Sequence, residues 1–152
     1  MNERSIKYKG KFTPQNSSKY IGDSDNIIYR SMWERRCMKY FDTNPSVLGW
    51  ASEEVSIPYY DTATKRVRRY FPDFLIKVKT AEGELKTHLI EVKPSKDLRP
   101  PVSIQGKKRS TVLYEMRTFQ MNRDKFASAR KWCEDRGIQF DIWTEKHLQQ
   151  KG

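Results

Sequence analysis

Asp73, Glu91 and Lys93 are the residues of this chain whose types and spacing could do chemistry together. Side chains alternate faces along a strand. In Ile90-Glu91-Val92-Lys93 the carboxylate and the ammonium therefore point one way, while Ile90 and Val92 point into a core on the other. Pro72 has no N–H for a sheet ladder and marks a strand start, which puts Asp73 at a strand end, where a hairpin partner brings it near Glu91. Two carboxylates converging beside one lysine suit a hard divalent cation such as Mg²⁺, which takes one or two carboxylates together with waters and phosphate oxygens. Such an ion stabilises negative charge developing on a phosphodiester and acidifies a water. Lys93 is placed to hold that water or to touch the scissile phosphate.

Several elements must position these groups. Residues 1–25 read as an irregular, basic arm. From Asn26 to Phe41 the apolar positions Trp33, Cys37, Tyr40 and Phe41 form the stripe of an amphipathic helix, which Asn44-Pro45 ends. Short strands are expected at 47–50, 53–59 and 67–71, with a turn at 61–65, and then at 74–79 and 87–93, joined by a turn at 81–84 in which Gly83 is free to take positive φ. Residues 94–110, with Pro94, Pro100, Pro101 and Gly106, read as a long basic loop. A long helix over 114–136 buries Phe119, Phe126, Ala129, Trp132 and Cys133 and stops at Gly137; a strand over 138–143 and a short helix over 144–150 capped by Thr144 follow. This order describes an α/β or α+β domain with a mixed central sheet flanked by helices.

Composition narrows the function. The 152 residues carry 30 Lys and Arg against 19 Asp and Glu, a net charge of +11, which points to a polyanionic partner with nucleic acid first, since each cation set on a phosphate releases a counterion. One domain is expected at this length, and aromatics at 12% can sustain its core. No apolar run reaches the roughly 18 to 20 residues of a membrane span and the N-terminus lacks a signal-peptide core, so a soluble protein without membrane partners is expected. Cys37 and Cys133 sit in helical apolar patterns without a C-x-x-C partner and read as buried thiols. His88 faces away from Glu91 and His147 lies in the last helix, so neither reads as a general base.

The set Pro72-Asp73, then Glu91-Val92-Lys93 on the next strand, resembles the PD-(D/E)xK nuclease motif. Tyr29-Arg30-Ser31-Met32-Trp33-Glu34 resembles the Y-R-S-x-W-E element of TnsA-like endonucleases, and the whole chain is similar to the head completion nucleases of T4-like tailed phages. The resemblance implies a restriction-endonuclease-like fold that cuts double-stranded DNA with Mg²⁺, for which Mn²⁺ substitutes. It makes Asp73 and Glu91 metal ligands with the Val92 carbonyl completing the site, Glu34 the helix carboxylate that joins or orients the metal, Lys93 the catalytic lysine and Lys125 a phosphate contact. It also implies portal, neck or other head-vertex partners, and action in the host cytoplasm during assembly or in the virion.

Each residue also has a plainer reading. Ser31-x-x-Glu34 has the form of a capping box; Glu91 and Lys93 can be a solvated pair, and Asp73 a turn cap. Under the nuclease reading, Arg30, the cluster Lys65, Arg66, Arg68 and Arg69, and the cluster Lys107, Lys108 and Arg109 are expected to line the DNA path and hold phosphates without reading bases. The alternative is a non-catalytic head completion protein that binds DNA or the portal on a nuclease fold. A pure polyanion binder leaves the convergent acids unexplained, because they would repel its ligand.

Overall fold

The central sheet is ordered β3-β6-β7-β8, from β3 (Val47–Ser52), β6 (Phe74–Lys79), β7 (Leu85–Val92) and β8 (Gln139–Trp143). A computed structural model describes residues 9–102 and 105–151, the side chains of 149–151 excepted. The pairs β3–β6 and β6–β7 are antiparallel and β7–β8 is parallel, so the sheet is mixed. A parallel neighbour requires a crossover, and the helix α2 (Arg109–Arg136) supplies it. The β6–β7 turn closes with Gly83 at φ 84, its N–H donating to the Thr80 carbonyl at 2.9 Å. α2 ends where expected: Gly137 takes the left-handed conformation, and the Ile138 N–H donates back to the Cys133 carbonyl at 2.9 Å.

Two cores lie on opposite faces of this sheet. On one, α1 (Met32–Thr43) and α3 (Glu145–Lys151) cover Trp50, Phe74, Ile76 and Ile90, with Phe41 set edge-on to Phe74 at 5.1 Å. Burying an aromatic such as Phe41, wholly shielded from solvent, contributes roughly 1.5 to 3 kcal/mol. On the other face Phe126, Ala129 and Cys133 of α2 pack against Leu89, with Phe140 and Ile142 beside them. The same core takes in the inner face of a two-stranded antiparallel ribbon, β4 (Ile57–Asp61) with β5 (Arg66–Tyr70).

The structure departs from the sequence reading at several places. The helix expected from Asn26 begins only at Met32: Ile27-Ile28-Tyr29 form β2 (Ile27–Tyr29) against β1 (Gly10–Phe12), and the Ser31 hydroxyl accepts the Glu34 N–H at 3.1 Å as the N-cap. β-Branched residues favour the strand, and the helical stripe starts only at Trp33. The described part of the arm is not irregular. It holds β1 and a 3₁₀ turn (Ser17–Lys19), tied down by Asp42, which accepts the Gln15 N–H at 2.8 Å; residues 1–8 lie outside the described residues.

The strand expected at 53–59 starts at Ile57, because Glu53 sits at φ 56, outside the β region. Together β4 and β5 form their own sheet rather than joining the central one. The long loop is shorter than read. A 3₁₀ turn (Ser95–Leu98) interrupts it and α2 begins at Arg109, five residues before Tyr114, while residues 103 and 104 lie outside the described residues. That first part of α2 leaves Leu113, Tyr114 and Met116 exposed, so no buried stripe announced it. Along α2, Phe119 and Trp132 are only partly covered, and Asn122 is buried in their stead. Cys37 and Cys133 are buried and not joined in a disulfide, and no helix among the described residues is long and apolar enough to cross a membrane.

Candidate active site

The site forms where β6 begins and β7 ends. The antiparallel register pairs Phe74 with Ile90, which sets Asp73 beside Glu91 one step further along the ladder. The Val92 N–H donates to Asp73 Oδ2 at 2.7 Å, so the end of β7 grips the first acid with its own backbone. Glu91 shares a face with Leu89, toward α2 and the ribbon, where the Tyr70 hydroxyl donates to Oε1 at 2.6 Å. Lys93 Nζ stands 3.7 Å from Oε2 of the same carboxylate. Ile90 and Val92 face the other core, as strand alternation requires.

Glu34 reaches the site from the first turn of α1. Its N–H is held by Ser31, while its Oε1 accepts the Arg30 N–H at 3.0 Å. This is a displaced capping box, the carboxylate satisfying the amide before the N-cap rather than that of the N-cap itself. The bond engages one oxygen, so capping and a role toward the acid pair are compatible. Glu53 lies close by: its side chain takes a two-pronged pairing from Arg30, both contacts at 3.0 Å, and its N–H donates to the Asp73 carbonyl at 3.1 Å.

The electrostatics mark the cluster as short of positive charge. Burial pushes the Asp73 carboxyl well above the usual range, and the charges of Glu91 and Glu34 add to it against the Val92 amide and Lys93. Glu91 is raised by burial too, with Lys93, the Tyr70 hydroxyl and Lys125 pulling it back. Burial also raises Glu34; the Arg30 amide opposes this, and the charges of Glu53 and Glu91 reinforce it. Tyr70 is raised by burial and by the Glu91 charge, so at neutral pH it keeps the proton it donates.

Lys125 is the other cation here. It projects from α2 over the rings of Tyr70 at 5.6 Å and Tyr59 at 5.9 Å. Burial lowers its pKa and the charge of Lys93 adds to this, against Glu91, Asp61 and Asp73.

The donor set suits a hard, water-retaining cation. Among the described residues no three His, Cys, Asp or Glu side chains are grouped so as to hold a metal by themselves. One oxygen of each carboxylate is fixed by a donor; Asp73 Oδ1 and Glu91 Oε2, the latter with Lys93 Nζ at 3.7 Å, are the oxygens that could be offered to a hard cation that keeps waters and phosphate oxygens as its other ligands.

The structure brings together Asp73, Glu91, Val92, Lys93, Glu34 and Lys125, with Arg30 at their edge within the field of Glu34 and Asp73, and places the ribbon cations and Lys107, Lys108 and Arg109 elsewhere. Arg30 is held by Glu53. On the ribbon, Arg68 pairs with Asp61 at 3.0 Å and Arg69 donates to Ser56 at 2.9 Å, while Lys65 and Arg66 are exposed. Lys107 pairs with Glu115, Lys108 is the N-cap of α2 and Arg109 opens it, so sixteen residues, about 24 Å of helix, separate Arg109 from Lys125. His88 is paired with Asp141 at 2.7 Å, and His147 accepts the Thr144 N–H at 3.0 Å.

Sequence reasoning passed over Tyr70, Tyr59 and Glu53. For Tyr70 the signal was present: a tyrosine on the buried face of a strand, three residues before Asp73, has a polar tip that must find a partner. Glu53 gave none, since its position depends on a positive φ.

Comparison with known proteins shows the family of the chain. Residues 44–145 match the family model of the TnsA-like endonuclease N-terminal domain, a span that contains Asp73, Glu91, Lys93 and Lys125. Over 150 residues the chain is 41% identical to the head completion nuclease of Enterobacteria phage T4, covering 95% of this chain and 96% of that protein. With a restriction-endonuclease-like mixed sheet carrying these acids, the chain belongs to the TnsA-like endonuclease family.

Proposed function

We propose that this protein is a Mg²⁺-dependent endonuclease of the PD-(D/E)xK type that cuts double-stranded DNA during phage head completion, trimming packaged DNA and readying the head for neck and tail. The observation that carries the reading is the Asp73–Glu91 pair: two like-charged carboxylates side by side, Glu91 buried and Asp73 half-buried, each pushed up by desolvation. A fold holds such a pair at a cost in free energy, and a bound divalent cation removes that cost. The stage of action rests on the name of the T4 relative, and Mn²⁺ is expected to replace Mg²⁺.

Asp73 and Glu91, with the Val92 carbonyl, would hold the ion and Glu34 would join or orient it; when bound, Mg²⁺ supplies positive charge to the phosphate oxygens and acidifies a water. Lys93, beside Glu91, positions the attacking water or the scissile phosphate. Lys125 faces the same acids and contacts a phosphate of the strand being cut. The water oxygen bonds to phosphorus as the P–O3′ bond breaks; the water gives up a proton to solvent and O3′ takes one from solvent, leaving 5′-phosphate and 3′-hydroxyl ends. The +11 net charge draws DNA in, and the ribbon cations with Arg30, Lys107, Lys108 and Arg109 hold its backbone.

Supercoiled plasmid incubated with the protein in Mg²⁺, Mn²⁺ or EDTA tests this, with Asp73→Ala and Lys93→Ala alongside and their folding checked by circular dichroism. Metal-dependent nicking lost in both folded variants is the expected result. Tight DNA binding without cleavage in either metal overturns it in favour of a non-catalytic assembly protein that grips DNA or the portal.

A further inference from the structure

The β4–β5 ribbon is more than a cover for α2. Its last residue, Tyr70, is only 4% exposed, and its hydroxyl is the donor closest to Glu91 among the described residues, at 2.6 Å. Its ring is immobilised: Ile57 pairs with it across the ribbon and is buried, and the Phe126 ring lies 6.3 Å away. The tip of the ribbon is pinned to α2, where both the N–H and the hydroxyl of Thr62 donate to Asp124 Oδ2 at 2.9 and 2.8 Å. The next residue on that helix is Lys125, whose ammonium lies over Tyr70 and Tyr59.

We propose that Tyr70 is a positioning residue of the cleavage site, fixing the Glu91 carboxylate for the metal with its hydroxyl and steering Lys125 toward the same acid with its ring. The inference rests on the nuclease reading and goes beyond it by giving a role to an element outside the central sheet. Packing alone does not account for the hydroxyl. Phenylalanine would fill the same space without burying a polar group, so the hydroxyl is retained where it meets a carboxylate. A carboxylate ligand with one oxygen tied to a rigid donor presents the other in a single orientation, and losing such an outer partner typically costs 10- to 100-fold in metal affinity or activity. The ring acts separately, because a cation held over two aromatic faces is confined without a competing salt bridge.

The full-length protein is titrated with Mn²⁺, free ion being counted by electron paramagnetic resonance, and DNA cleavage is followed in parallel. Tyr70→Phe is expected to weaken Mn²⁺ binding about tenfold and to lower kcat with KM for DNA little changed. Tyr70→Leu, which also removes the ring, is expected to raise KM as Lys125 is released. Should Tyr70→Leu fail to fold, Tyr70→Phe carries the test alone, since it keeps the volume and the ring. If folded Tyr70→Phe binds Mn²⁺ and cuts like the wild type, Tyr70 only packs and the proposal falls, with the nuclease reading intact. A wild type that neither retains Mn²⁺ nor cuts DNA overturns both.

Discussion

The two faces of the central sheet pair their acids differently. Toward α1, Asp141 of β8 meets His88 of β7 at 2.7 Å, and two partners of complementary chemistry satisfy one another amid Ile90, Val78 and Trp143. Toward α2, Glu91 meets Asp73 and lies within the field of Glu34, so carboxylate faces carboxylate. Lys93 and Lys125 offset part of this charge, yet all three carboxyls remain raised. Neighbouring residues of one strand thus contribute to a self-contained pair on one side and an unbalanced cluster on the other. A self-contained pair serves the fold; an unbalanced one is relieved by a proton or by a cation from outside, and such clusters mark candidate sites.

The comparison breaks most visibly under substitution on each face. Asp73→Asn, which keeps an acceptor for the Val92 amide but removes the charge, is expected to reduce plasmid cleavage about 1,000-fold or more, several kcal/mol of transition-state stabilisation. His88→Ala is expected to leave the rate within about twofold and to cost about 1 kcal/mol in stability for the lost pair. Rates on plasmid and chemical denaturation of both variants check this. Equal loss of cleavage in folded forms of both would erase the distinction between the faces.

Glu34 stands between the two situations, as cap and as member of the cluster, and two variants separate these roles. Glu34→Gln retains an acceptor for the Arg30 N–H, so stability should hold while cleavage falls roughly 10- to 100-fold. Ser31→Ala removes the acceptor for the Glu34 N–H and should cost about 1 kcal/mol of stability, with a smaller effect on rate. The reverse ranking in paired denaturation and cleavage measurements would make Glu34 a cap alone.

Much of this site was legible because it depends on local rules. Strand alternation puts Glu91 and Lys93 on one face, and a hairpin between 74 and 92 brings Asp73 to Glu91, both readable without tertiary information. The ribbon was harder. Alternation in 53–59 announced a strand and 67–71 another, but their separation from the central sheet depends on the positive φ of Glu53 and on packing against α2. The beginning of α2 was invisible for the opposite reason: Leu113, Tyr114 and Met116 are exposed, and a helix that buries nothing leaves no apolar period to count. Lys125 was readable as a polar helix residue, whereas its seat over Tyr59 and Tyr70 required knowing that α2 and the ribbon touch.

The smallest expected effects are in stability, where the imbalance itself can be weighed. A carboxyl whose folded-state pKa lies above its unfolded value favours the folded state fully at pH below the unfolded value, and that contribution is lost as pH rises through the folded one. Asp73, Glu91 and Glu34 are all raised, so metal-free wild type should lose stability relative to Asp73→Asn between pH 5 and pH 8. Each unit of upward shift accounts for about 1.4 kcal/mol, some 3 to 6 °C in Tm for a chain of this size. Mg²⁺ should reverse the difference: at ten times its Kd an ion that binds only the folded protein adds about 1.4 kcal/mol to the wild type and little to the variant. Thermal scans of both proteins at the two pH values, in EDTA and in Mg²⁺, give four differences from one experiment. Parallel pH profiles with no Mg²⁺ shift would mean that the acid pair is balanced from within, as His88 and Asp141 are on the opposite face.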